Sequence, residues 1–288
     1  MLHRSYLYVP GNRVELIPKA AAIADAIIVD LEDAVPANEK AKARELTRQA
    51  LAPGKVDAPV YVRLNTGRVA LDDIAALHGC RIEGVRLAKA EDPALVVDVD
   101  LALAAVEQSI GGVASPILIS PIIESAAGLF GMEKIAAASP RVRSFAFGAT
   151  DFRQDIGGEK TTSRIETLFA RSHIVAHSRL LGLDPPVAHV YSPIGDLDGL
   201  RTACIEDRAL GFFGRSCIHP RQVPVVNQTF TFSAERIAAA KRVIAAYAAA
   251  AAQGRGAFVM EDGTFIDEAH VRAAQHLLSR VHSSPASA

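Results

Sequence analysis

Cysteine is scarce: Cys80, Cys204 and Cys217 are the whole complement of a 288-residue chain. An odd count without CxxC spacing offers neither a disulfide framework nor a zinc site, and it fits a reducing cytoplasm. An excess of one charge is also missing. The 31 basic and 32 acidic residues nearly cancel, to a net −1, and are spread without long runs. This argues against a nucleic-acid-binding face and against a polybasic membrane anchor. Long hydrophobic runs are lacking too. The Ala-rich stretch near 243–252 is too short to span a bilayer and follows Lys241 and Arg242. The opening MLHRSYLYVPGNR has no apolar core of the secretory kind. What is present is a chain half hydrophobic, with a mean hydropathy of +0.19. It is long enough to bury a large core as one big domain or two small ones. Soluble metabolic chemistry is the class that survives these exclusions.

Short β-rich segments alternate with longer helical ones, the pattern of a parallel sheet covered by helices. Strands are expected at 5–11, 26–33, 60–65, 84–91, 116–125, 144–151, 187–192 and 212–220, with helices between them such as 38–51, 95–108 and 164–181. Eight such units in roughly 230 residues match the period and size of a (β/α)8 TIM barrel. The expected fold class is therefore α/β, with residues 1–230 as the barrel domain and 231–288 as a C-terminal helical extension and lid. Ser233 is a plausible N-cap for an Ala-rich helix ending near Gly254. A strand-turn-strand with Asp262-Gly263 at the turn and a last amphipathic helix follow. The final SSPASA is expected to fray.

In a barrel strand shielded on both faces, polar side chains are costly unless they reach the open C-terminal mouth, where active sites are built. Polar residues stand at nearly every expected strand end: Asp30, Glu32 and Asp33, then Arg63 and Asn65, Lys89 and Glu91, Glu124, Asp151, Ser192 and His219. Two convergent carboxylates, Glu124 and Asp151, with no His or Cys beside them suit a hard oxygen-seeking cation, Mg²⁺ first. The alternative is that each pairs with an arginine to close the barrel mouth.

The segments RSYLYVPGNR, KAAAIADAIIVDLEDAV with Lys40 and Arg44 after it, VYVRLN, LAKAE, PIIESAAGL, FGATDFRQDIG, LFARSHIVAHSRLLGL, GFFGRSCIHPRQV and DGTFIDEAHVRAAQHLL together carry a resemblance. In order and over nearly the whole chain, they resemble the citrate lyase β-subunit-like proteins of the HpcH/HpaI aldolase and C–C bond lyase group. The resemblance implies a Mg²⁺-dependent barrel that cleaves a 3-hydroxyacyl-CoA thioester of the malyl-, citramalyl- or citryl-CoA type to acetyl-CoA and a 2-oxo acid. It places Glu124 and Asp151 at the metal-ligand positions. Arg63 takes the position that binds the substrate carboxylate, a task suited to a planar fork of donors. Arg13 and Lys19 fall at basic positions that meet CoA phosphates. Asp267 falls at an aspartate brought over a neighbouring subunit's site, which implies homotrimers or multiples of them. Asp30, Glu32 and Asp33 become groups that hold Arg63, a metal-bound water or Lys19 in place. Direct ligation by one of them, or purely structural pairing, stays open.

A retro-Claisen cleavage leaves acetyl-CoA as an enolate, so a carboxylate beside that carbon must return a proton. Asp267 is the candidate. The cation and Arg63 would bear the charge that develops on the oxo-acid oxygens. Other tempting residues are weaker. His173 and His177 lie four apart, but the intervening residues lack the glutamate of HExxH and supply no third ligand. Lys89 could form a Schiff base, although LAKAE resembles the family's LPKAE, where no covalent role is implied. Cys217 and His219 share a face, yet nothing orients the histidine. LAKAE, FRQDIG and VAHVYSPIGDLDG depart from the usual family segments, which leaves the acyl group and its stereochemistry open. Two further functions stay in view: a metal-dependent pyruvate-type aldolase acting on free 4-hydroxy-2-oxo acids, and the β subunit of a larger citrate lyase complex.

Overall fold

Runs rich in β-branched and aromatic residues, bounded by turn formers, become strands. They are β1 (Ser5–Pro10), β2 (Ala26–Asp30), β3 (Val60–Leu64), β4 (Gly84–Leu87), β5 (Leu118–Ile123), β6 (Ala146–Phe147) and β7 (Arg215–Cys217) in the computed structural model, which describes residues 2–112 and 114–282. All pair in parallel, in the order β6-β5-β4-β3-β2-β1-β7. The ring is completed between β6 and β7 by residues 187–188, where Ala146 bridges Val187 and Ala188 bridges Arg215, both in parallel. The Phe147 N–H donates to the Val187 carbonyl at 3.1 Å and the Ser216 N–H to the Ala188 carbonyl at 3.0 Å. Eight parallel segments thus close on themselves as a (β/α)8 barrel, which leaves no open sheet edge.

Several strands are shorter than the sequence suggests, for local reasons. The expected strand at 187–192 is reduced to its two bridges, because Pro185 and Pro186 precede it and Pro193 follows, and proline gives no N–H to a ladder. The expected strand at 144–151 stops at Phe147. Gly148 turns the chain, so Asp151 sits in the first turn of a helix rather than at a strand end. β4 ends at Leu87 because Lys89 turns the chain with a left-handed φ of 46°.

Between the strands run α1 (Ile17–Ala21), α2 (Lys40–Ala50), α3 (Val69–Ala75), α4 (Pro93–Ser109), α5 (Ala126–Ala137), α6 (Ala149–Asp155), α7 (Leu168–Leu180), α8 (Leu197–Leu210) and α9 (Gln222–Phe230). Their starts are chemically marked. Asp92 accepts from the Ala94 N–H with Pro93 in the first helical turn, Ser125 accepts from Gly128, and Asp196 accepts from Gly199.

Inside the ring, alternate residues of each strand meet. Tyr6, Ala26, Ile28, Tyr61, Ala88, Ile122, Ala146 and Val187 form one buried cluster, with Tyr8 against it. Outside the ring, the seam around residues 187–189 is held by one carboxylate. Asp207 of α8 is fully buried and accepts from Arg171 Nη1 at 2.9 Å, from Arg164 Nη2 and from Arg215 Nη2. Arg215 Nη1 also donates to the His189 carbonyl at 2.7 Å, tying β7 to the segment that closes the ring.

The chain divides into two compact units, His3–Thr229 and the remainder from Phe230 on together with Leu2. In the second unit, α10 (Ala234–Ala251) opens on Ser233, whose Oγ accepts from the Arg236 N–H. It packs along α11 (Glu268–His282). Between them, β8 (Phe258–Val259) and β9 (Phe265–Ile266) pair antiparallel, with Gly263 at φ 84° in the turn. The SSPASA end lies outside the described residues. No helix among the described residues is long and apolar enough to cross a membrane.

Candidate active site

Parallel pairing sets Asp30 beside Arg63 at the mouth of the barrel. The Asp30 carboxylate accepts the Glu32 N–H at 2.9 Å and the Ala34 N–H at 3.2 Å, which folds the acidic segment back over the strand end. The same carboxylate takes both edges of Arg63, Nε at 2.7 Å and Nη2 at 2.5 Å. Arg63 Nη1 meets Glu32 Oε2 at 2.6 Å and Asp33 Oδ2 at 3.0 Å. Its guanidinium carbon lies 5.1 Å from the centre of the Tyr8 ring. Burial works against the charge on Arg63, but Asp30, Tyr8 and Glu32 outweigh it and hold its pKa above the ordinary value. Glu32 is affected in the opposite sense to an ordinary ion-paired carboxyl. Burial pushes it up to about 7, opposed by Arg63 and reinforced by Asp33, Glu124 and Asp30. Three carboxylates at the end of one buried strand therefore fix one arginine.

The lysine that closes this loop is Lys40, whose Nζ donates to the carbonyls of Leu31 at 2.7 Å and Glu32 at 2.6 Å. Lys19, the candidate named from the sequence, is exposed on α1. Arg13 is also exposed, and its Nε donates to Glu15 at 2.6 Å. Asn65 is fixed by Asp73, which accepts from its backbone N–H at 2.6 Å and also from Arg44 Nε.

Glu124 follows β5 directly, and Ser125 after it caps α5. Its Oε1 accepts the Lys89 N–H at 2.5 Å, so the left-handed turn at Lys89 is what aims that N–H at the carboxylate. Gly148 passes so close that a Cβ there would overlap the Glu124 side chain. Asp151, in the first turn of α6, faces the same cavity of about 480 Å³, together with Tyr8, Asp30, Arg63 and Arg86. Burial raises the Glu124 carboxyl to about 7; the Lys89 N–H opposes this and Asp151 adds to it. Among the described residues neither Glu124 nor Asp151 has an ion-pair partner, so the alternative of arginine pairing at these positions is not what the structure forms. No group of three or more His, Cys, Asp or Glu side chains among the described residues is arranged for a metal. Two hard carboxylates, one of them buried without an ion pair, nevertheless fit Mg²⁺, which takes one or two protein carboxylates and completes its shell with water and substrate oxygens.

Two residues in the cavity went unnoticed in the sequence. Arg86 projects inward from β4 with 1% of its surface exposed. His189 lines the opposite wall at the ring-closing segment. Its Nδ1 is buried without a partner and its ring stands edge-on to Phe147 at 5.6 Å. Burial, and then Arg215, hold its pKa well below the ordinary histidine value, so it is neutral. A lone arginine in the apolar run GVRLA was a usable signal for the first. The second is masked by the prolines around it.

The remaining candidates lie elsewhere. Lys89 is exposed and does not line the cavity, which does not favour a Schiff base. Cys217 is buried with its thiol pKa pushed up by burial, while Ser216 and Ile218 face the cavity and His219 Nδ1 accepts from the Arg221 N–H. No thiol-imidazole pair forms. His173 and His177 stack on α7 at 4.1 Å beside Phe130 and Phe169. Asp267 belongs to the second unit, where its Oδ1 accepts from the His270 backbone N–H at 3.2 Å and lies 2.7 Å from His270 Nδ1.

Residues 4–220 match the HpcH/HpaI aldolase/citrate lyase family, and residues 171–282 match the C–C bond lyase family of the TIM-barrel fold. A citrate lyase subunit beta-like protein of Deinococcus radiodurans is 36% identical, covering 96% of this chain and 97% of that protein. An L-malyl-CoA/beta-methylmalyl-CoA lyase of Cereibacter sphaeroides is 33% identical, covering 95% and 92%. The CitE protein of Mycobacterium tuberculosis, solved in complex with magnesium, acetoacetate and coenzyme A, is 31% identical with a TM-score of 0.79, and 98% of each chain is covered. With its barrel, its carboxylate-rich mouth and these relatives, the chain belongs to the HpcH/HpaI aldolase/citrate lyase family, a group of carbon–carbon lyases related to CoA chemistry.

Proposed function

We propose that the protein is a Mg²⁺-dependent lyase that cleaves a 3-hydroxyacyl-CoA thioester of the citramalyl-, malyl- or citryl-CoA type to acetyl-CoA and a 2-oxo acid. The observation that carries this reading is the meeting of Glu124, Asp151 and Arg63 around one cavity. Glu124 and Asp151 would hold the cation, which would supply positive charge beside the oxygens of the 2-oxo acid.

The chain's own groups do the rest. Arg63 has five N–H donors. Its contacts with Asp30, Glu32 and Asp33 engage Nε, Nη1 and one side of Nη2. The second N–H of Nη2 is the one left for a substrate oxygen, and the three carboxylates keep it from swinging away. Cleavage removes the hydroxyl proton, passes the electrons of the broken C–C bond to the thioester as an enolate, and returns a proton to the methyl carbon. Asp267 is assigned that last transfer, delivered by the extension (231–288) of one subunit to the barrel (1–230) of another in a homotrimer. Lys19, and Arg13 on release from Glu15, would meet the phosphates of CoA. The three buried free cysteines fit a reducing cytoplasm.

The test is acetyl-CoA release from citramalyl-, malyl- and citryl-CoA, each stereoisomer separately, with Mg²⁺ and again with EDTA. Metal-dependent turnover of one thioester is expected. CoA binding without turnover of any would favour work inside a larger complex, and no CoA binding would favour an aldolase acting on free hydroxy-oxo acids.

A further inference from the structure

Among the described residues, each buried arginine that lines or braces the barrel, and half-buried Arg63 with them, has a carboxylate against it except one. Arg141 takes Asp100 and Glu107. Arg63 has Asp30, Glu32 and Asp33, while Arg215 and Arg171 share Asp207. Arg86 is as buried as any of them, yet among the described residues it has no ion pair and no hydrogen-bond partner. Its Nε and Nη1 are sealed from solvent and unsatisfied. Beside it in register on β5, Ser120 is also buried with an unsatisfied Oγ. What surrounds the guanidinium is aromatic: its carbon lies 4.6 Å from the centre of Tyr6 and 5.9 Å from that of Tyr61. Those rings attract a cation but do not neutralise it. Burial raises the Tyr6 phenol to about 12, so it provides no phenolate at working pH. An arginine cannot shed its proton to escape the cost of burial. The missing negative charge must come from outside, and the opening to Arg86 is the active cavity itself.

We infer that Arg86, assisted by Ser120, is the specificity-determining residue of the cavity and binds a second carboxylate on the 2-oxo-acid part of the substrate. The inference rests on the lyase reading above. Arg63 lies over Tyr8 and Arg86 over Tyr6, two residues apart on one face of β1. The two arginines are themselves register partners on β3 and β4, with their guanidiniums turned to different rings, so the cavity holds two cationic groups on neighbouring strands. A 2-oxo dicarboxylate offers one carboxylate to Arg63, Glu124 and Asp151 and its other to Arg86. A 2-oxo monocarboxylate would leave Arg86 buried and unpaired.

Calorimetric titration of the full-length protein with freshly dissolved oxaloacetate, pyruvate and 2-oxobutyrate, all in Mg²⁺, tests this. 2-Oxobutyrate controls for size without the second charge. Oxaloacetate is expected to bind at least about tenfold more tightly than either monoacid. Arg86→Met should reduce it to the level of 2-oxobutyrate while changing pyruvate affinity by less than about threefold. Equal affinities in the wild type, or a preference that survives Arg86→Met, overturn the inference. If Arg86→Met fails to fold, the wild-type preference together with Ser120→Ala decides, since loss of that hydroxyl should weaken oxaloacetate alone. Failure of all three acids to bind would instead remove the lyase reading, a result distinct from binding without discrimination.

Discussion

Asp207→Asn is the substitution for which the structure gives the clearest magnitude. The side chain has no exposed surface and takes bonds from three guanidiniums, so the cluster already carries more positive than negative charge. Glu206, half exposed, offsets only Arg164. Removing one partner of a buried ion pair costs about 3–5 kcal/mol, because the other charge stays buried without compensation. For a unit of this size each kcal/mol lowers Tm by about 2–4 °C, so a fall of roughly 6–20 °C is expected. The acid limb should change as well. Burial pushes the Asp207 carboxyl up, but Arg215, His189, Arg164 and Arg171 outweigh it and hold it below the usual range. A group depressed in the folded state contributes stability that is complete above its unfolded pKa of about 3.9 and is lost as pH falls through the folded value. The Asn variant lacks that part of the acid transition. Because Arg215 also holds the His189 carbonyl at the cavity wall, activity should fall too. Thermal unfolding at pH 7 and an acid titration by circular dichroism are the assays, with Arg164→Gln as a milder control that removes a surplus cation. A Tm within about 2 °C of wild type would refute the reasoning.

Arg63→Lys should lower kcat by about 10²–10³, since one ammonium cannot keep both edges of Asp30 and still present a fixed donor; turnover at saturating thioester measures it. Glu32 is raised to about 7, so its contribution to stability is present below an unfolded value of about 4.3 and is lost as pH rises through 7. Glu32→Gln should flatten the stability profile between those limits, and an unchanged slope in denaturant titrations across that range would contradict the assignment. Asp267→Asn should stop exchange of the acetyl-CoA methyl protons into D₂O while leaving CoA binding intact, and normal exchange by NMR would end the acid/base role proposed for it.

The eightfold alternation was legible because each strand is a short apolar run with a turn former behind it, and the mouth was legible because Asp30, Arg63 and Glu124 end such runs. Less legible were details decided by backbone turns. Asp151 moved into a helix because Gly148 bends the chain, and the seventh expected strand shrank to two bridges between prolines. Lys40 rather than Lys19 closes the acidic loop, because its Nζ reaches the Leu31 and Glu32 carbonyls, a contact that spacing does not encode. Arg86 was hidden for a different reason. In a parallel strand both faces are buried, so hydrophobic periodicity does not say which residues point into the ring. Only pairing to neighbouring strands puts Arg86 inside.

The tyrosines inside the ring also give the molecule a built-in optical reporter. The chain contains no tryptophan and five tyrosines, and three of the five, Tyr6, Tyr8 and Tyr61, lie against the two guanidiniums of the cavity. Near-ultraviolet absorption and emission of the unlabelled protein are therefore weighted toward the one place where a ligand would arrive. Burial keeps the pKa values of all three phenols above the ordinary tyrosine value, so none of them ionises near neutral pH. An anion settling between the guanidiniums and their rings would be seen directly as a change in tyrosine emission, without a dye, a coupled enzyme or a chromogenic thioester.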